Sequence, residues 1–523
     1  MISNAQLDLL LQDENLGAGN FIYKIYEKFK SDEHILSLIE NENTKPIELS
    51  IKDIILISDR LASAYLHIGV KPKEVVALFF KDSFDYFLHF VALNSLGAIP
   101  CLINGKLSHD VLHQFLKIIR PQYLMLNIKY REEIESIFLQ SDINPKILGI
   151  EDFNQFISNT RTPIFQHQPQ DVIMIGHTSG TTGVPKGVIF THESMFHGVR
   201  SQIKRQKGSN ILSILPHSHG ASISLLMLSL TRGAKVSILS QRDPKTITNI
   251  IKKISPNVVI AFPQVYVDLC REDLQKNDFE SISYWISTGD ANHESHIKKL
   301  IQLGHNIDQD NQKVIGSFFI DNLGSSEFAF AIFRNVHGLN TNQYNRCIGK
   351  PFPWVNVSVF DENGKVLSHN QIGRLGVKSK SVTLGYWNNH SLTEINKING
   401  YWLTGDLVYF DEHQNFYHVD RTSDSMKIDG TEVYSCQIEE FIITKISQIF
   451  DLSIVKSTHN ELIAYVELTK KSDISVENLL REINHLMQEN QWPLIKNLTL
   501  QSANEYTGVT GKKLKRELRN IVH

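Results

Sequence analysis

A chain of 523 residues is larger than one typical hydrophobic core, so at least two domains are expected. Its 41% hydrophobic and 21% charged residues exclude a disordered or fibrous chain. A net charge of -3 and a pI near 6.7 exclude a general electrostatic pull toward nucleic acid or anionic membrane. The opening "MISNAQLDLLLQDENLG" has no basic start and no long apolar run, so no signal peptide is expected. Strand-like "EVVALFF" is followed by helical "DSFDYFLHFVALNSLGA", then "PCLIN", "HDVLHQFLKIIRP" and "QYLMLN". The rhythm returns in "ILSILP", "ASISLLMLSLTRGA", "KVSIL", "TITNIIKKISP" and "NVVIAF". Strands alternating with helices of this length predict βαβ units and a largely parallel, covered sheet. The apolar run "ASISLLMLSL" falls well short of the roughly 18 residues of a membrane helix. After about Asn340, "VNVSVFDENGKVL", "GRLGVKS" and "NFYHVDR" read as hairpin strands. From about Thr422 a smaller α+β unit is predicted, with "QIEEFIITKI", "DLSIVKS", "LIAYVELT" and a helix near "VENLLREINHLMQ". Cys101, Cys270, Cys347 and Cys436 are far apart, which favours reduced thiols, no zinc site and a cytoplasmic setting.

The stretch "HTSGTTGVPKGV", His177 to Val188, cannot build a core, because Gly, Ser and Thr bury little apolar area. Gly180, Gly183 and Gly187 permit close backbone approach, and successive amides in such a turn form an anion-binding concavity. Thr178, Ser179, Thr181 and Thr182 add hydroxyls and Lys186 adds charge, which together suit a polyphosphate. Neither the Walker pattern nor the Rossmann glycine pattern fits this run.

This run resembles the phosphate loop of the adenylate-forming superfamily, which includes acyl-CoA synthetases, peptide-synthetase adenylation domains and firefly luciferase. Further stretches match in the family's order: "LPHSHG", "NLGSSE", "GKPFPWVNVSVFDENG" with "LGYWNN", "GYWLTGDL", "DRTSDSMKIDGTEV" and "TGKKLKREL". The resemblance spans the chain from about residue 50. It implies an α/β fold with a large N-terminal adenylation domain, residues 1–422, built of βαβ-type sheets and a β-rich subdomain. A small mobile α+β domain, residues 423–523, is expected to follow.

The resemblance also implies roles, residue by residue. Glu327 would help hold Mg²⁺, with Thr181 beside it, since a hard cation seeks phosphate and carboxylate oxygens. Asn322, Leu323, Gly324, Ser325 and Ser326 would line the nucleotide site. Asp406, an acceptor-only carboxylate, would take the ribose hydroxyls, with Arg421 on the same nucleotide. Lys512 would sit between the acid's carboxylate and the α-phosphate and stabilise the charge in transfer. His219 would line the acyl pocket, and Lys427 and Gly430 would line the thiol's approach. Read alone, "GKKLKRELR" is a solvated basic helix face or a weak RNA-binding tail, and His219 a structural histidine.

The implied reaction is ATP-dependent activation of a carboxylic acid to acyl-AMP with release of pyrophosphate, then thioester formation with coenzyme A. The small residues Gly220, Ala221, Gly289, Ala291 and Gly324 leave room for a fatty or aryl acid. "HGASIS" has no aspartate to pair an ammonium, which argues against an amino acid. Some positions depart from the family: Leu323 replaces a tyrosine, Ser423 a hinge Asp or Lys, Gln437 a glutamate, and Glu432 a position often basic. The lead into Lys512 lacks the common P-x-T. Alternatives are a ligase that loads an acyl carrier protein, a luciferase-like oxygenation and a non-catalytic nucleotide-binding module.

Overall fold

The computed structural model describes residues 2–127, 130–138, 141–158, 163–178, 183–205, 208–307, 312–341, 343–470, 472–501 and 515–521. Its contacts divide the chain into two units. The first comprises Met1–Ala261, Gly324–Ala331 and Ser379–Ile395. Strands Val75–Phe80 and Ile99–Asn104 are buried at every position, as strands covered on both faces must be. They lie at the centre of a six-stranded sheet ordered Lys146–Gly149, Tyr123–Leu126, Val75–Phe80, Ile99–Asn104, Val172–His177, Gly187–Thr191. Only its last pair is antiparallel. Four more strands of this unit run parallel in the order Val258–Ala261, Asn210–Ser213, Lys235–Leu239, His34–Ile39, with Ile47–Ser50 antiparallel at the edge.

Local chemistry sets where the helices begin. Ser50 Oγ accepts from the Asp53 N–H and Asp53 accepts from the Ser50 N–H, which starts helix Ile51–Ile68. Thr191 and Ser194 do the same for His192–Gln202, directly after the last strand of the six-stranded sheet. The run "ASISLLMLSLTR" forms the buried helix Gly220–Arg232. No described helix is long and apolar enough to cross a membrane.

The second unit comprises Phe262–Leu323, Ile332–Lys378 and Asn396–His523. Tyr284–Thr288 runs parallel to Phe318–Leu323. From there the strands are antiparallel: Phe333–His337, Cys347–Pro351, Phe416–Arg421, Tyr401–Phe410, Gly373–Lys378 and Asn356–Phe360. The predicted hairpin in "VNVSVFDENGKVL" closes its turn with a single bridge, Phe360 to Val366. Asn356–Phe360 takes Gly373–Lys378 as its strand partner instead. Three further strands, Ile449–Lys456, Leu462–Leu468 and Ile495–Leu500, carry helices Ser435–Lys445 and Val476–Glu489 over a core that includes Ile442, Leu452, Val466, Leu479 and Ile483. The α/β class, the β-rich region and the small α+β part expected from the sequence are all present.

Candidate active site

In the first unit the glycine- and threonine-rich run connects the antiparallel strands Val172–His177 and Gly187–Thr191. Ser179, Gly180, Thr181 and Thr182 lie outside the described residues. The base of the connection is closed by a reciprocal pair. The Thr178 N–H donates to the Lys186 carbonyl, and the Lys186 N–H donates to Thr178 Oγ1, both at 3.2 Å. Gly183, at φ 128°, holds a backbone conformation that a side chain would strain. Beneath the loop, burial pushes the His177 imidazole below its usual range, while its Nε2 accepts from the Asn104 N–H.

The outer strand of this hairpin meets the segment that "LGYWNN" encodes. The Ile189 N–H donates to the Gly385 carbonyl at 3.2 Å, and the Trp387 N–H donates to the Gly187 carbonyl at 2.7 Å. Between them Tyr386 is buried, and its hydroxyl donates to Glu327 Oε1 at 2.8 Å. The Thr383 N–H donates to the Glu327 carbonyl at 2.7 Å, so both backbone and carboxylate of Glu327 are held. Lys186 Nζ lies 5.1 Å from the centre of the Tyr386 ring. Lys186, Tyr386 and Glu327 are therefore one group, with Ser326 Oγ at 3.5 Å from the His177 carbonyl. Gly324 and Ser325 precede them, and Gly324 packs against Ala331. The motifs named Lys186 and Glu327; the tyrosine between them was missed, because its contact spans 59 residues of sequence.

His219 is the N-cap of helix Gly220–Arg232, and its Nδ1 accepts from the Ala221 N–H at 3.1 Å. A ring nitrogen that accepts leaves the proton on Nε2. Its first role is thus local, to satisfy one of the open donors of a helix start.

In the second unit, Asp406 on Tyr401–Phe410 is paired in register with Arg421 on Phe416–Arg421. Arg421 Nη1 donates to Asp406 Oδ1 at 2.7 Å. Burial alone would raise the Asp406 pKa, but the charge of Arg421 and the hydrogen bond from His418 outweigh it and hold the carboxyl below its usual range. Asn322 and Leu323 end strand Phe318–Leu323, opposite Arg334 and Phe333, and Arg334 Nε donates to Asn322 Oδ1 at 3.3 Å. Beside them, burial pushes Asp321 up to about 7 despite its bond from Asn292. Asp429 and Gly430, at φ 47° and 88°, make a two-residue turn between Met426–Ile428 and Thr431–Val433. Lys427 stands exposed on that hairpin, 3.8 Å from Glu432. Lys512 lies outside the described residues; Lys515, three positions on, is buried and donates to Glu439 at 2.8 Å.

The described residues include no cluster of three or more His, Cys, Asp or Glu able to hold a metal. A single held carboxylate, Glu327, suits an ion such as Mg²⁺ that arrives on phosphate oxygens and asks for one or two protein oxygens.

The chain is 29% identical to the 3-aminoavenalumate diazotase of a Streptomyces species, over 99% of this chain and 98% of that protein. It is 24% identical to the 4-coumarate–CoA ligase of Pinus taeda, over 82% of each. Its fold matches that of a benzoate CoA ligase from Burkholderia xenovorans with a TM-score of 0.81 at 16% identity, covering 96% and 99% of the two chains. Residues 38–387 match the family described as AMP-binding enzyme. That match covers more than half of the chain, and with its motifs in the family's order the chain belongs to the AMP-binding enzyme family, within the adenylate-forming superfamily that those motifs resemble.

Proposed function

We propose that the protein activates an aryl or fatty carboxylic acid with Mg-ATP and passes the acyl group to a thiol, most simply coenzyme A. The observation that carries this is the Lys186–Tyr386–Glu327 group beside the base of the phosphate loop. An acid carboxylate oxygen attacks the α-phosphorus of ATP, forming the acyl–phosphate bond as the bond to pyrophosphate breaks. Thr178, the loop residues 179–183 and Lys186 bind the phosphates. Glu327, with Thr181, would hold Mg²⁺, which would offset phosphate charge. Asp406 and Arg421 bind the nucleotide's sugar, and Lys512 stabilises the charge in transfer. The thiol then attacks the acyl carbonyl and AMP leaves, with Lys427 and Gly430 near its approach. Residues 423–523 form a domain whose rotation exchanges Lys512 for that loop. Relatives named for 4-coumarate and 3-aminoavenalumate favour an aryl acid over a fatty one.

One comparison supports a second reading, since the relative matched over 99% of this chain is named a diazotase. Turning an arylamine into a diazonium ion needs a nitrogen at the oxidation level of nitrite. Nitrite carries an oxygen anion that can attack the α-phosphorus as a carboxylate does, with pyrophosphate leaving; the amine then displaces AMP from the nitrosyl nitrogen, and the N-nitroso product loses water to give the diazonium ion. Pyrophosphate release measured with a panel of aryl and fatty acids tests the first reading. Adding coenzyme A, a holo carrier protein, or nitrite with an amino-aryl acid identifies the second step. Release only when nitrite is present would move the assignment to the diazotase reading; no release with any of these would overturn both.

A further inference from the structure

Asp406 does not stand alone on its strand. Asp406 faces Arg421, Leu407 faces Asp420 and Val408 faces His418. One step on the first strand is two on the second, so Val419 is the extra residue of a β-bulge. Side chains alternate along a strand, and without the bulge His418 and Arg421, three apart, would point to opposite faces. With it, both reach Oδ1 of Asp406: Arg421 Nη1 at 2.7 Å and His418 Nε2 at 3.3 Å.

His418 is itself gripped by Arg346. The His418 N–H donates to the Arg346 carbonyl at 3.0 Å, and Arg346 Nε donates to the His418 carbonyl at 3.2 Å. Arg346 Nη2 lies 2.8 Å from His418 Nδ1. A guanidinium has only donors, so Nδ1 accepts and the ring proton belongs on Nε2, the nitrogen that faces Asp406. The arginine reaches this position from a costly turn. Asn345 and Arg346 have φ of 53° and 60°, a left-handed pair with no glycine. Asparagine adopts this region readily, but an arginine keeps it only where its surroundings hold it.

We propose that Arg346 and His418 are positioning residues for the nucleotide: Arg346 sets the His418 tautomer, and His418 Nε2–H joins Arg421 in fixing the Asp406 carboxylate for the ribose hydroxyls. The proposal rests on the reading of Asp406 as the ribose carboxylate. Asp406 and His418 are both buried, so a removed donor is not replaced by bulk water.

The test is the ratio of affinities for ATP and 2′,3′-dideoxy-ATP, measured by calorimetry on the full-length protein. Asp406→Asn and His418→Leu should each shrink that ratio by about tenfold, the size expected for a hydrogen bond to a charged group. Arg346→Met should shrink it in the same direction. His418→Gln, which keeps an N–H near the Nε2 position, should recover most of it. If His418→Leu does not fold, Arg346→Met carries the test. If Asp406→Asn leaves the ratio unchanged, the ribose reading itself is wrong and the relay falls with it. If Asp406→Asn collapses the ratio while Arg346→Met and His418→Leu leave it at the parent value, the ribose reading survives and the relay is overturned.

Discussion

The Glu327 carboxylate accepts from the Tyr386 hydroxyl while its main-chain carbonyl accepts from the Thr383 N–H, so the side chain is directed from an anchored backbone before any ion arrives. Tyr386→Phe removes that hydroxyl and keeps the ring beneath Lys186. A hydrogen bond to a charged group is worth about 1.5–3 kcal/mol, so the Mg²⁺ concentration for half-maximal pyrophosphate exchange should rise by about tenfold or somewhat more. Glu327→Gln should raise it further, and adding Tyr386→Phe to Glu327→Gln should change little more. Full additivity would show that the two side chains act separately. Lys512 belongs to the same scale. Lys512→Ala should slow adenylate formation by about 10²–10³, as deletion of one preorganised donor does. Thioester formation from a pre-made acyl-adenylate should be nearly unaffected, and Lys513→Ala should be near-silent in both. Equal losses at both lysines would return this stretch to a plain basic helix. Asp406, Glu327 and Lys186 were legible because each sits inside a dense local motif. Tyr386, His418 and Arg346 were not, because their partners lie 59, 12 and 72 residues away and the contacts depend on register.

Elements were legible where a period or a cap repeats locally. The runs over Val75–Phe80, Gly220–Arg232 and Val476–Glu489 fall where the hydrophobic pattern puts them. The bulge at Val419 was hidden, because a single extra residue leaves no mark in an alternating pattern that is already buried on both faces. The partner of Asn356–Phe360 was hidden too, since "DENG" promises a hairpin and tertiary pairing overrides it. At the C-terminal helix Lys515–Ile521, the Lys515 ammonium lies 2.8 and 3.0 Å from the two Glu439 oxygens and 2.7 Å from Ser435 Oγ. Burial opposes its charge, but Cys436, Glu439 and Asp420 around it hold the ammonium above its usual range. Lys515→Met would leave Glu439 buried without its cation, a loss of about 3–5 kcal/mol in urea unfolding. The double variant Lys515→Met with Glu439→Leu should recover most of that loss. A double variant as unstable as the single would mean that the pair contributes more than mutual neutralisation.

At the scale of the whole molecule, buried histidines dominate the acid response. Burial brings His89, His192, His217 and His337 down to about 4 each. Their unfolded values lie near 6.5, so between about 4 and 6.5 the unfolded chain binds more protons than the native one. This stabilisation is complete above about pH 6.5 and is lost as pH falls toward 4. Asp321, raised to about 7 by burial, runs the other way, because its protonated form is favoured in the fold. Four groups outweigh one, so the Tm should fall by several degrees from pH 7 to pH 5. A Tm that rises over that interval would contradict the burial of these rings.

If an acid oxygen attacks the α-phosphorus of ATP, that oxygen must end up on AMP, and an isotopically labelled carboxylate follows it there. With a substrate acid carrying ¹⁸O in its carboxylate, a turnover should yield AMP heavier by one labelled oxygen, because the bridging oxygen stays with phosphorus when the acyl group departs. AMP that carries no label, or label found in pyrophosphate, would rule out attack by the acid on the α-phosphorus.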